Sequence, residues 1–132
     1  MKYDLKDSGK RQKFSTGAQR DMRENKGRYD LLPGHSLYRL AVVFEKGAKK
    51  YTDDNWRKGI PLRRYADSAM RHMVKALQGH CDEDHWAQAM WNISCLIETK
   101  YMIDGGLLPK ELDNLPNYAC KNDPSIQEGK KK

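Results

Sequence analysis

"PLRRYADSAMRHMVKALQG", residues 61–79, is the stretch whose reading decides the fold. Leu62, Tyr65, Ala66, Ala69, Met70, Met73, Ala76 and Leu77 recur at steps of three and four, the period of one side of an α-helix. Pro61 suits the first turn, where its missing N–H would have no helical partner. Gly79 is a natural stop, because glycine readily takes the left-handed conformation that closes a helix. The stretch predicts a helix over 61–78.

The same period extends in both directions. Upstream, Leu37, Leu40, Ala41 and Phe44 fall at i, i+3, i+4 and i+7, predicting a helix over 36–46 with Ser36 as its N-cap. Gly47 then either breaks that helix or marks a close-packing position. Downstream, Trp86, Ala89, Met90, Ile93 and Ile97 predict the buried face of a third helix over 84–103. Between the first two helices runs a polar connection, "YTDDNWRKGI" (51–60). β-Branched alternation is absent throughout, so the expected fold is all-α, with a short fourth helix near Pro109–Leu112.

The first thirty residues have no helical or strand period. Gly9, Gly17 and Gly27 among many charges suggest an extended arm, ending in the turn "YDLLPG" (29–34). A chain of 132 residues suits one domain, here an arm (1–33), a helical core (34–104) and a C-terminal extension (105–132). Three amphipathic helices bury a thin core, so a bundle completed by homo-oligomerisation is expected.

Composition narrows the class. No apolar run approaches a membrane span and no signal-peptide core follows Met1, so a soluble cytoplasmic protein is expected. Cys81, Cys95 and Cys120 are odd in number and lack a CxxC pair, which argues for reduced thiols. His80, Cys81 and His85 match no zinc-finger spacing. The formal net charge is +7, but residues 1–30 carry nine Lys/Arg against five Asp/Glu and residues 120–132 four against two. The nearly neutral middle with basic ends argues only weakly for a duplex-binding face and better for local capture of a small polyanion such as a nucleotide.

Several residues invite chemistry. Glu45 falls at the edge of the first helix's apolar stripe, placed either to enter a cleft or to pair with Lys49 on the surface. "CDEDHWAQAMWN" (81–92) sets Asp82, Glu83 and Asp84 before His85, and Asn92 shares a stripe with His85. Acids suit a helix N-terminus, yet one acid suffices for a cap; three adjacent like charges are relieved if a divalent cation sits among them. His72 lies at the border of the Tyr65 face, where a satisfied core histidine is the plainer reading, and Arg71 is free to meet a carboxylate or a phosphate. Asn55 and Trp56 stand in the polar connection, where the indole packs either on the helical core or on a purine.

"FSTGAQRD" (14–21), "NKGRYDLLP" (25–33), "EKGAKKYTDDNWRKG" (45–59), "DSAMRHMVKALQG" (67–79) and "DEDHWAQAMWN" (82–92) resemble, in order and spacing, the phage MazZ-type dATP/dGTP diphosphohydrolases, a branch of the all-α MazG-like nucleotide pyrophosphohydrolases. The resemblance implies a helical bundle assembled as a dimer or homotetramer. It implies metal-dependent hydrolysis of dGTP, and of dATP, to the monophosphate and pyrophosphate, supplying dGMP for 2-aminoadenine nucleotide synthesis in a phage. Mg²⁺ or Mn²⁺ would be the cofactor, held by Glu45, Glu83 and Asp84, with His85 in a supporting catalytic role. Asn92, like His85, would be a supporting or substrate-contacting group; Arg20, Arg28, Lys50 and Arg71 would meet phosphates, and Asn55 and Trp56 the base or sugar.

The sequence departs from the wider superfamily's ExxE and ExxD pattern: Val42 and Ala48 flank Glu45 at three residues, and Trp86 follows Glu83. Asp30, Asp67 and Glu98 are further acids that could complete a ligand set. The alternative is a basic phage accessory protein that binds nucleic acid through its charged ends without catalysis.

Overall fold

The computed structural model describes residues 3–116. Two compact units are present, one up to Pro33 and one from Gly34 onward. The C-terminal residues from 117 on, including Cys120 and Lys130 to Lys132, lie outside the described residues.

The second unit is all-α. Its helices are α1 (Gly34–Lys50), α2 (Leu62–Leu77) and α3 (His85–Asp104), with 3₁₀ turns at Asn55–Lys58 and Lys110–Leu112. α2 and α3 form an antiparallel pair, in which Tyr65 meets Thr99 and His72 meets His85. α1 runs along α3, with Arg39 at Asp84 and Phe44 at Trp91.

Local signals explain most of the boundaries. Pro61 holds the cap position of α2, and Gly79, at φ +82°, follows its last turn while the His80 N–H returns to the Lys75 carbonyl at 3.1 Å. Asp84 caps α3 by accepting from the Ala87 N–H at 3.2 Å. Two expectations for α1 are corrected. The helix begins at Gly34, so Ser36 sits inside the first turn and does not cap it. It also continues through Gly47, where an added Cβ would meet nothing within 4 Å, so this glycine neither breaks the helix nor permits a close approach.

The core gathers Trp56, Leu62, Tyr65, Cys95, Met102 and Ile103, flanked by Phe44, Ile60, Trp91, Leu96, Leu108, Leu112 and Leu115. Burying each of the larger side chains contributes roughly 1.5–3 kcal/mol. The segment after α3 returns to cover the 3₁₀ turn at Asn55–Lys58. Leu112 comes so close to Gly59 that a Cβ there would stand 2.8 Å from its Cδ1 and displace that side chain, and Gly59 has φ +114°, a conformation that favours glycine. The Arg63 N–H donates to Asn114 Oδ1 at 3.0 Å and Lys100 Nζ donates to Asp113 at 2.7 Å, fixing the returning chain.

The buried faces differ from expectation. On α3 the buried line is His85, Ala89, Asn92, Cys95, Thr99 and Met102, whereas Trp86, Ile93 and Ile97 are exposed. On α2, Leu62, Tyr65 and Ala69 are buried, but Met70, Met73 and Leu77 are exposed. On α1 it is Val43 that is buried, while Leu37 is exposed. The reason is geometric: each helix carries an apolar arc wider than its neighbours in one chain can cover. With α2 and α3 antiparallel, the uncovered flanks of both helices lie on the same side of the pair.

The first unit corrects the extended-arm expectation. Arg11–Lys13 (β1) pairs antiparallel with Gln19–Asp21 (β2), with Gln12 opposite Arg20. The turn is closed by Phe14 N–H to Ala18 O and Gly17 N–H to Phe14 O, both 2.9 Å, with Gly17 at φ +89°. Asp21 accepts from the Ser8 hydroxyl and from Lys26 Nζ at 3.1 Å, which holds its carboxyl far below the usual range. Both strands are polar and exposed, so no alternating pattern announces them. No helix among the described residues is long and apolar enough to cross a membrane.

Candidate functional site

A cavity of about 1010 Å³ opens between α1, α2, α3 and the 51–60 connection. Its composition follows from helix periodicity. Arg64, Ser68 and Arg71 occupy i, i+4 and i+7 of α2, and Lys46 and Lys50 occupy i and i+4 of α1, so each helix turns a polar stripe to the same space. Arg57 is the fifth cation of the wall, against the acids Asp53, Asp54 and Glu83. Phe44, Tyr51, Trp56, Tyr65 and Trp91 supply aromatic surface. A concave space of this size with apolar walls and convergent charges has the character of a small-molecule site.

The connection is shaped by Asp54, a non-glycine residue in the left-handed region at φ 58°, whose carboxylate accepts from Arg57 Nε at 3.0 Å. Asparagine and aspartate tolerate this conformation best among residues with a Cβ. Trp56 is 8% exposed and belongs to the core. Phe44 lies at a ring-centroid distance of 6.3 Å and the Arg57 guanidinium sits 4.5 Å from the indole centroid. Asn92 is buried and donates through Nδ2 to the Gln88 carbonyl at 2.9 Å, the residue one turn earlier on α3.

At the end of the cavity formed by α2 and the start of α3, two buried histidines touch. His72 Nδ1 and His85 Nδ1 are 2.9 Å apart, with the rings 7% and 2% exposed, and His85 Nε2 lies 2.8 Å from Asp82 Oδ1. The Asp82 carboxyl, held below its usual range by the hydrogen bond from His85, accepts from Nε2–H. With Nε2 donating, Nδ1 is the acceptor in the neutral tautomer of His85, and in that tautomer His72 donates to it through Nδ1–H. Burial lowers the His72 pKa, with Arg71 adding to the effect, so this ring favours the neutral form. Glu83 completes the group: His72, Glu83 and His85 each present a donor atom within 4.8 Å of the others.

The sequence-derived candidates separate into sets. Glu83, Lys50, Asn55, Trp56, Arg71 and Asn92 line the large cavity. Glu83, Asp84 and His85 line a smaller concavity beside it, with Arg39 and Lys46. Asp84 is already engaged, capping α3 and receiving the fork of Arg39, whose guanidinium holds its carboxyl below the usual range. Glu45 is exposed and lines neither space, because Arg39, Val43 and Lys46 form the face of α1 turned to α3 and Glu45 lies about 120° away. The ligand set Glu45, Glu83 and Asp84 is thus not assembled within one chain. Arg20 and Arg28 belong to the first unit, where Arg20 stands in β2 and Arg28 forks onto Asp30 with both contacts at 2.8 Å. Asp67 and Glu98 are paired with Arg64 and Arg57.

Lys46, Arg57, Arg64, Ser68 and His72 were not singled out as ligand-contacting residues from the sequence. The i, i+4, i+7 spacing of Arg64, Ser68 and Arg71 was the available signal. His72 carried none, because its significance comes from a neighbour thirteen residues away.

Residues 16–105, over two thirds of the chain, match the family model described as dATP/dGTP diphosphohydrolase, N-terminal. No curated protein and no solved structure matches the chain.

Proposed function

We propose, for a chain that belongs to the dATP/dGTP diphosphohydrolase family, that the large cavity is where this enzyme takes its triphosphate. The substrate is dGTP, with dATP as a second substrate, and cleavage between the α- and β-phosphates yields the monophosphate and pyrophosphate. The observation that carries the reading is the wall itself, which sets five cations against three acids around a space of about 1010 Å³.

Arg64 and Arg71 on α2 and Lys46 and Lys50 on α1 hold the phosphate chain from two sides, the arginines by two-pronged contacts and the lysines as point charges. The purine lies toward the aromatic wall, with Asn55 and the unshared carbonyl oxygen of Asn92 to orient it. Trp56, fixed in the core, supports that wall. The reaction depends on a divalent cation, Mg²⁺ or Mn²⁺, which supplies charge neutralisation and an acidified water. Glu83 is the acid of the original candidate set that lines the cavity, and it takes the ligand role there.

The exposed flank of Met70, Met73 and Leu77 with Trp86, Ile93 and Ile97 packs against a second copy of the chain, giving a homo-oligomer. We infer, from the resemblance to phage enzymes, that the product dGMP feeds 2-aminoadenine nucleotide synthesis in the infected host's cytoplasm.

Incubation with each of the four dNTPs and GTP, with Mg²⁺, Mn²⁺ or EDTA, tests the reading by ion-exchange chromatography of the products. Metal-dependent dGMP and pyrophosphate are expected. Failure to turn over any triphosphate with either metal overturns the proposal.

A further inference from the structure

We propose that His72, His85 and Glu83 form a three-ligand site for a divalent ion of the imidazole-accepting class, Co²⁺ or Zn²⁺, in preference to Mg²⁺ or Mn²⁺. This rests on the reading above for the cavity and departs from it in the ion that Glu83 would hold.

The spacing is close to that of a chelate. Two imidazole nitrogens bound at about 2.0–2.1 Å to one tetrahedral ion stand about 3.3–3.4 Å apart, so the two rings need to open by only about 0.4 Å from their hydrogen-bonded separation. The Nδ1 atoms of His72 and His85 are 2.9 Å apart. Glu83 brings an oxygen within 4.8 Å of a ring nitrogen of each histidine. Its carboxylate takes no hydrogen bond or salt bridge from a described side chain, unlike that of Asp84.

The surroundings are those of a ligated histidine. Asp82 accepts from His85 Nε2 at 2.8 Å, which orients the ring and leaves Nδ1 as the donor atom. A carboxylate on the far nitrogen of a metal-bound histidine is the usual arrangement. His72 needs only to move its proton from Nδ1 to Nε2, so both lone pairs then converge and no net proton is lost. Both rings are buried in the wall, and Glu83 and His72 line the large cavity, so the remaining coordination positions face the space given to the phosphates. Imidazole ligands favour Co²⁺ and Zn²⁺, whereas Mg²⁺ and Mn²⁺ favour oxygen.

The test is titration of the full-length protein with Co²⁺, followed by its visible absorption, with Mg²⁺ as competitor. Saturation by one equivalent is expected, with a band unaffected by a hundredfold excess of Mg²⁺. Affinity should fall about 100-fold in His72→Gln and in Glu83→Gln, and about 10-fold in Asp82→Asn. Should the buried histidine variants fail to fold, exposed Glu83 and Asp82 still report. Long-range ¹H–¹⁵N spectra of the wild type with Zn²⁺ also read the expected change of His72 from the Nδ1–H to the Nε2–H tautomer. Unchanged Co²⁺ affinity in Glu83→Gln, an unmoved His72 tautomer, or displacement by equimolar Mg²⁺ overturns the site. The triphosphate assay is separate: turnover with Mg²⁺ and no Co²⁺ chelate leaves the enzyme reading intact and removes this one, and a chelate without turnover does the reverse.

Discussion

The guanidinium of Arg39 on α1 forks onto the carboxylate of Asp84, 45 residues later, at the residue that caps α3. One carboxylate therefore does two structural jobs, ending α3 and tying α1 to it. Asp84→Ala removes both and is expected to cost about 1–2 kcal/mol of stability. Asp84→Asn keeps the cap and loses the ion pair, at a cost below about 1 kcal/mol. Urea denaturation of the two variants separates these roles. Equal losses in both would show that the cap contributes nothing.

Arg71→Ala and Arg64→Ala are expected to lower kcat/KM for dGTP by about 10- to 100-fold each, the loss of a hydrogen bond to a charged group. Steady-state kinetics checks this, and Arg63→Ala serves as the control, since Arg63 does not line the cavity.

The second-copy flank predicts that Ile93→Asp, placed in the exposed centre of α3, converts the oligomer to a monomer. Light scattering coupled to gel filtration reads the mass, and circular dichroism checks that the helices persist. A wild-type monomer at all concentrations would remove the proposed interface.

Asp113 titrates below its usual carboxylate value of 3.8, chiefly because Lys100 donates to it, with its side chain 27% exposed. A depressed folded-state pKa gives stabilisation that is complete above the unfolded value and lost as pH falls through the folded one. Asp113→Asn should therefore cost up to about 1 kcal/mol at pH 7 and progressively less as pH falls through the folded-state value, by thermal unfolding across that range.

Burial pushes the Cys95 thiol up to about 12, and no side of it reaches solvent, whereas Cys81 is exposed. Iodoacetamide at pH 8 should modify Cys81 and spare Cys95 in the native state, as read by peptide mass mapping, since the thiolate is the reactive form. Equal modification of both would mean that α3 opens readily.

The helices were legible in the sequence because their signals are local. Leu62, Tyr65 and Ala69 repeat at helical spacing, Gly79 ends α2, and the 3₁₀ turn at Lys110–Leu112 falls within the short fourth element expected near Pro109–Leu112. The β1–β2 hairpin was not legible, because its residues are polar on both faces and only backbone pairing and Gly17 define it.

The chain's own spacing thus determined which segments are helical and that their polar stripes carry Arg64, Arg71, Lys46 and Lys50. Only tertiary packing decided which part of each apolar arc is covered. It put Cys95 and Thr99 inside, left Ile93 and Ile97 out, and brought His72 against His85 while leaving Glu45 apart from Glu83. Periodicity gives the direction of a side chain about its own helix axis. The rotation of one helix against the next depends on contacts between residues far apart in the chain, and no local pattern encodes it.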